Sequence, residues 1–239
     1  MKSIKIYEKR YRYKESILRL RSDNIAAIDY GFKTFLARRI ELEDYVSSNP
    51  WIKYVLDPID IDDGMPEVVK RMVSASSIAG VGPLASVAGA LADLICESML
   101  ELDASVAIAE NGGEASIVST IPIVLEAYIG SDELDYIYFE IDPCDTPLGV
   151  ASSSARHGGG ISFGIADLAT VFAENAALAD AAATRLCNLV DSVSKDSIEY
   201  ALRETYSIPG VKGCFIVVGG YVGCIGWNPK ILSVSRRLR

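Results

Sequence analysis

The stretch Asn175-Ala176-Ala177-Leu178-Ala179-Asp180-Ala181-Ala182-Ala183-Thr184 decides how the rest of the chain is read. Alanine and leucine favour helix, and the pattern carries one from about Asn175 to Val193. Strand-like runs surround it. Ala169 to Phe172 precedes it; a second helix over Ser197 to Tyr206 comes after it, and then Cys214 to Val218 and Tyr221 to Trp227, with Gly219-Gly220 between them as a hairpin turn. A similar rhythm occupies the first half. Residues 1 to 30 alternate with a period of two, from Ile4 and Ile6 to Ile25, Ala27 and Asp29, which predicts two or three antiparallel strands. Phe32, Phe35, Leu36, Ile40 and Leu42 predict a helix from Gly31 to about Ser48, stopped by Ser-Ser-Asn-Pro. A linker from Asp57 to Pro66 leads to a long apolar helix pattern over Glu67 to Leu100, broken near Gly80 to Pro83. Further strand-like runs are Ser105 to Ala109, Ala115 to Val124, Ile137 to Ile141 and Ile161 to Phe163. The expectation is an α+β fold with antiparallel sheets, as a single domain over 1–239 whose rhythm hints at an internal duplication, about 1–125 and 126–239.

Composition narrows the function. The chain has 239 residues, half of them hydrophobic, with 23 Lys+Arg against 32 Asp+Glu and a formal net charge of −9. That apolar content supports a sizeable core, and the acidic balance argues against nucleic acid or an anionic membrane as partner. The charge is uneven: through Arg39 there are eleven basic and four acidic residues, and the remainder carries twelve and twenty-eight. Solvated charges on two faces of one sheet, or an anion-binding arm, both fit this division. His157 is the single histidine, so a zinc site or triad that needs two imidazoles is excluded, and any metal should be a hard, oxygen-loving ion such as magnesium. The five cysteines have no Cys-x-x-Cys spacing, which disfavours metal ribbons and disulfide frameworks. The opening MKSIKIYEKRYRYK lacks the apolar run of a signal peptide. Asp93, Glu97 and Asp103 interrupt the most hydrophobic region, so no membrane span is expected. The expected setting is cytoplasmic and reducing, and the expected partner a small-molecule or nucleotide ligand, with a homo-oligomer left open.

Four segments could carry chemistry. In GVGPLASVAGALADLI, residues 80–95, Gly82 and Ser86 lie where a helix N-terminus could meet phosphate; close helix packing explains the same small residues. In Glu110-Asn111-Gly112-Gly113-Glu114, the glycines could let backbone amides meet a ligand, or form a plain hairpin turn. Ser152-Ser153-Ser154-Ala155-Arg156-His157, continued by three glycines, concentrates donors: His157 could serve as hydrogen-bond donor or general base, Arg156 as a phosphate clamp. Asp180 and Thr184 are spaced i, i+4, so both oxygens project from one helix face as a hard-metal half-site. Alternatively, Asp180 caps a neighbouring element and Thr184 bonds back to a carbonyl.

Taken together, GVGPLASVAGALAD, ENGGEA, SSS-x-R-H-x-x-x-x-S-F-G-x-A-D and ENAALADAAAT, in this order, resemble the ApbE-like superfamily of FAD:protein FMN transferases, and more closely a short prokaryotic branch related to them. The resemblance spans about residues 10 to 230, and its last string is the most specific. It implies a T-fold-like architecture: two similar β-β-α-α-β-β subdomains with a cleft between them. In the transferases that cleft binds flavin nucleotide. By motif match it implies magnesium ligands at Asp180 and Thr184, bridging to the diphosphate of FAD or another nucleotide, and the Asn-Ala-Gly-Gly-Asp turn of the transferases matches Asn111, Gly112, Gly113 and Glu114; Ser153 and Ser154, in the donor-rich loop, are expected beside the same ligand. The chain departs from the transferases at two strings. It has Leu84-Ala85-Ser86 where they carry Ala-Lys-Gly, and Arg156-His157-Gly158-Gly159-Gly160-Ile161 where they carry His-x-Ile-Asp-Pro. These differences remove residues that the transferases use to grip FAD; the resemblance still implies a magnesium-assisted flavin or nucleotide site, with phosphoryl-bond or nucleotidyl transfer as the reaction class. A protein that kept the fold for binding or as a scaffold, without FMN transfer, is the alternative.

Overall fold

The computed structural model describes residues 4–130, 134–155 and 163–236. Two antiparallel sheets form its framework. β1 (Tyr7–Tyr13), β2 (Ser16–Ser22), β3 (Val106–Asn111), β4 (Glu114–Ser119), β7 (Leu148–Ser153), β8 (Leu168–Ala173), β9 (Val211–Val218) and β10 (Tyr221–Gly226) make one eight-stranded sheet in that order. β5 (Ile123–Tyr128), β6 (Leu134–Ile141) and β11 (Lys230–Arg236) make a second, in the order β11-β6-β5. Among the described residues five α-helices accompany them: α1 (Ile25–Ser48), α2 (Glu67–Ala79), α3 (Val87–Leu100), α4 (Ala176–Leu189) and α5 (Lys195–Tyr206). The fold class is therefore α+β with antiparallel sheets.

Strand alternation sorts the core into two layers. On β3, Ala107 and Ala109 join the cluster formed with the helices, while Val106 and Ile108 join a second cluster with Ile123, Leu125, Phe139 and Ile141 of the small sheet. The same division recurs on β8, where Ala169 and Val171 belong to the helix side and Leu168 and Phe172 to the other. Alanines on the helix side let α3 and α4 approach the sheet closely; large residues on the far side fill the inter-sheet space, where Phe139 meets Phe172 and Phe215 edge to face. By length and composition alone Pro83–Leu100 could cross a bilayer, but two-thirds of it is buried inside this core.

Several element boundaries differ from those expected. Ile25, Ala27 and Asp29 are not strand: Asn24 caps the helix, accepting from the Ala26 amide, so α1 begins at Ile25 rather than Gly31. The run Ala115 to Val124 is two strands, β4 and β5, belonging to different sheets. β7 and β11 have no counterpart among the expected strands, and most of the Ile161 to Phe163 run lies outside the described residues. The break near Gly80 is confirmed. Gly80 sits at φ 70 as the left-handed cap of α2, and a 3-10 turn over Pro83–Ser86 leads into α3.

The basic N-terminal region is largely neutralised in place. Lys9 pairs with Asp29, Lys14 with Glu43 at 2.5 Å, Arg39 with Glu15 and Glu43, and Arg21 with Glu110 at 2.5 Å. Paired surface charges, rather than a free cationic arm, account for most of the uneven distribution.

Candidate functional site

The centre of the molecule is the crossing of α3 and α4. Gly89 on α3 permits it: a Cβ there would lie 2.2 Å from the Ala176 carbonyl oxygen and 2.9 Å from Ala177 Cα. Across this contact each helix caps the other. Asp93 of α3 accepts hydrogen bonds from the Ala176 and Ala177 amides, both 2.9 Å, and Asp180 of α4 accepts from the Gly89 amide at 2.9 Å. A carboxylate at a helix N-terminus satisfies free N–H groups and complements the dipole there. The two capping residues close the same four-residue string, Ala90-Leu91-Ala92-Asp93 and Ala177-Leu178-Ala179-Asp180. The contact therefore has local two-fold character, in sequence as in hydrogen bonding.

A second carboxylate, carried by the sheet, is close enough to Asp180 to feel its charge. The β3–β4 turn is built on Gly112 at φ 77, a left-handed position that glycine accepts without strain. It holds Asn111, which is buried and donates through Nδ2 to the Ala88 carbonyl at 3.4 Å, and Glu114, whose Oε2 accepts from the Gly113 amide at 3.1 Å. Burial pushes the Glu114 carboxyl well above the usual carboxylate range, and the nearby charge of Asp180 pushes it further. Burial likewise pushes Asp180 up to about 7, although the Gly89 and Ala88 amides favour its charged form. Thr184 lies one turn beyond Asp180 on the same face of α4 and is partly exposed, as Asp180 and Glu114 are.

Two carboxyl groups that resist ionising together, with a hydroxyl one turn away, form an all-oxygen donor set. Such a set fits a hard divalent cation, which would offset the burial that raises both carboxyls and the Asp180 charge that raises Glu114 further. Asp180, Glu114 and Thr184 are the residues that would hold magnesium.

The remaining sequence-derived candidates divide into three groups. Asn111, Gly112 and Gly113 lie at this site, and the turn abuts the end of β7: a Cβ on Gly113 would stand 3.7 Å from the Ser152 carbonyl oxygen. Ser153 pairs with Ala169 in the β7–β8 ladder, and Ser154 comes directly after it. Gly82 and Ser86 are not gathered into the site. Gly82 is packed against the backbone, where a Cβ would meet the Val55 carbonyl oxygen at 2.2 Å, and the buried Ser86 hydroxyl donates to the Met72 and Pro83 carbonyls at 3.0 and 3.2 Å. Arg156 and His157 lie outside the described residues. Asp93 escapes a reading of the sequence, where it is only a break in an apolar run, although the repeated Ala-Leu-Ala-Asp string marks it as the partner of Asp180. Glu114 is picked out there by its match to the acidic residue of the transferases' turn, but with no role attached.

A carboxyl with a raised folded pKa binds more protons in the native state. Its contribution to stability is complete below the unfolded value of about 3.9 and is lost as pH rises through the folded value. For Asp180 the window runs from ordinary carboxylate pKa up to about 7. We expect the thermal stability of the wild type, relative to Asp180→Asn, to fall across that window in the absence of metal. Melting curves in a pH series check this, and a constant difference would contradict the assigned environment.

Comparison with known proteins identifies the fold and the family. Solved structures of ApbE flavin transferases share the fold: that from Vibrio cholerae superposes with a TM-score of 0.53 at 11% identity, covering 92% of this chain and 96% of its own. The ApbE protein of Thermotoga maritima does so with a TM-score of 0.53 at 16% identity, again covering 92% and 96%. The chain belongs to the family described as AbpE bacteria, whose model matches residues 16–206. Its sequence is similar to the UPF0280 proteins of methanogens. That of Methanosarcina barkeri is 35% identical over 95% of this chain and 89% of its own length, and that of Methanocaldococcus jannaschii is 35% identical over 97% and 96%.

Proposed function

We propose that this ApbE-like protein binds a flavin or another nucleotide diphosphate together with one magnesium ion. The ion would be held by Asp180, Thr184 and Glu114, and the nucleotide would lie along the Asn111–Gly113 turn and the Ser152–Ser154 end of β7. The observation that carries this reading is a pair of electrostatically coupled carboxyls with raised pKa values, Asp180 on a helix held by the Gly89 amide and Glu114 at a β-turn held by the Gly113 amide. Bound magnesium supplies charge neutralisation at a diphosphate, so an acidic protein can hold an anion without a basic groove. The chain's own contribution is orientation: Gly89 and Ala88 amides fix Asp180, and the Gly113 amide fixes Glu114. Arg156 and His157 are assigned to the phosphate and to proton transfer, in phosphoryl-bond or nucleotidyl transfer chemistry.

The fold of the flavin transferases supports flavin as the first ligand to try. Calorimetry with FAD, FMN and ATP, each with and without magnesium, should show magnesium-dependent heat for at least one of them. No heat in any combination would overturn the reading. A second reading, a binding or scaffold protein without transfer chemistry, draws support from Gly82 and Ser86 being committed to packing. Magnesium-dependent binding with no turnover of the bound nucleotide would favour it. Five cysteines with no disulfide among them, two of them exposed, support a reducing cytoplasmic setting. The side-by-side placement of β1–β4 and β7–β10, each set interrupted by helices, supports an internal duplication within one domain.

A further inference from the structure

The two ends of the sheet pair are finished differently. At one end β1 is the outer strand of the large sheet, and its sequence YEKRYRY carries Glu8, Lys9, Arg10 and Arg12. Charges that an approaching strand would have to desolvate protect such an edge. Beside it, Arg19 and Arg21 of β2 pair with Glu8 at 2.9 Å and Glu110 at 2.5 Å. At the other end the outer strand is β10, YVGCIG, with no charged residue and no proline.

The layer between the sheets is also left open at the β10 end. Val222 pairs with Val217 and Cys224 with Phe215, and both partners belong to the inter-sheet cluster, so Val222 and Cys224 point towards the small sheet. Yet Val222 is 58% exposed, and Cys224 is exposed as well. The facing sheet repeats this at β11: Ile231 pairs with Phe139 and Val234 with Ile137, both of the same cluster, but Ile231 is 46% and Val234 44% exposed. β10 and β11 share one end of the sandwich. Only Trp227-Asn228-Pro229 joins them, and β6, the neighbour of β11, sets Phe139 against Phe172 of β8 and Phe215 of β9. Four apolar side chains turned towards the core layer thus stay in water, between two strands with unpaired outer edges.

This opening lacks an uncharged strand with apolar side chains at alternate positions, and β10 is itself such a strand. We propose that the opening is the interface of a two-fold homodimer, in which β10 pairs antiparallel with β10 of a second copy. A two-fold axis normal to the sheet keeps the same face of both copies upward. Val222 and Cys224 of each copy then fall in one continuous layer, roofed by β11 from both. Charge selects this occupant. Across a two-fold axis a surface meets itself, so a net charge would face its own image. β10 has none, and Lys230 at the start of β11 is neutralised by Glu140 at 2.8 Å. The strand is also held ready from behind: α5 seats on Gly223, where a Cβ would meet Leu202 at 2.9 Å and Ile198 at 3.0 Å. None of the residues assigned to the nucleotide takes part, so the dimer and the nucleotide site stand or fall separately.

Light scattering on the full-length chain should give twice the mass of one chain. Val222→Lys sets like charges against each other at the seam and should halve that mass. Val124→Lys, at a valine 50% exposed on the edge strand β5, should leave it unchanged. Alkylation read by mass spectrometry should label Cys224 several-fold faster in Val222→Lys than in the wild type, while Cys144, the other exposed thiol, reacts at one rate in both. A wild type of single-chain mass overturns the proposal, as does a dimer that survives Val222→Lys or that Val124→Lys also dissociates. Equal labelling of Cys224 in the two proteins overturns it too. If Val222→Lys does not fold, hydrogen exchange on the wild type decides: the Tyr221–Gly226 amides that point away from β9 should be protected, and fast exchange there contradicts the dimer.

Discussion

Gly89→Ala should destabilise the protein by about 3 kcal/mol, at the upper end of what overpacking ordinarily costs. A single methyl group produces this effect because of what it meets. The added Cβ would fall 2.2 Å from the Ala176 carbonyl oxygen and 2.6 Å from its carbon, both backbone atoms of a helix start that cannot rotate away. α3 and α4 would have to separate. That separation pulls the Gly89 amide from Asp180 and the Ala176 and Ala177 amides from Asp93, so three charge-assisted hydrogen bonds weaken together. In a chain of this length the melting temperature should fall by roughly 10 °C. Ala90→Gly, one position along the same helix, serves as control and should cost about 1 kcal/mol plus the loss of one buried methyl. Equal losses for the two variants would show that the helices are not in close contact at Gly89.

Asp180→Ala should weaken magnesium-dependent nucleotide binding by at least about 100-fold, because removing even an outer partner of a metal ligand commonly costs 10- to 100-fold. Asp180→Asn separates binding from folding. The amide keeps an oxygen for the Gly89 N–H, so the cap on α3 survives, while the negative charge that a cation needs is lost. Asn should therefore bind cation as poorly as Ala yet melt at a higher temperature than Ala. Glu114→Gln tests the second carboxylate. It should reduce cation affinity by removing one of the two carboxylates, while the pH at which Asp180 ionises stays near its wild-type value, because burial and Asp93 set that pH. If Asp180→Asn binds magnesium and nucleotide as the wild type does, Asp180 is a cap and nothing more.

How much of the fold and site is legible in the sequence depends on the range over which each signal acts. The helices over 67–100 and 175–189 are readable because alanine and leucine content and the Gly80 break are local properties. The start of α1 is not, because Ile25, Ala27 and Asp29 alternate as a strand does, while the deciding contact is the Asn24 side chain on the Ala26 amide. β7 is hidden because its last residues are serines, and serine suggests a loop until pairing with β4 and β8 is known. At the site, Asp180, Thr184 and the Asn111–Gly113 turn can be picked out, the first pair by helical spacing and the turn by its glycines. The role of Glu114 cannot, since it depends on a tertiary approach to Asp180. Ser86 shows the reverse: its place beside a glycine-rich helix start suggests a ligand, but burial against the Met72 and Pro83 carbonyls uses its hydroxyl for packing.

The most direct test is the anomalous scattering of manganese in crystals grown with FAD and manganese in place of magnesium. A cation held between the helix and the β-turn predicts a single strong peak within about 2.2 Å of carboxylate oxygens of both Asp180 and Glu114, the distance expected for a small divalent ion on oxygen ligands. A peak elsewhere, or an empty site at saturating manganese with nucleotide bound, would contradict it.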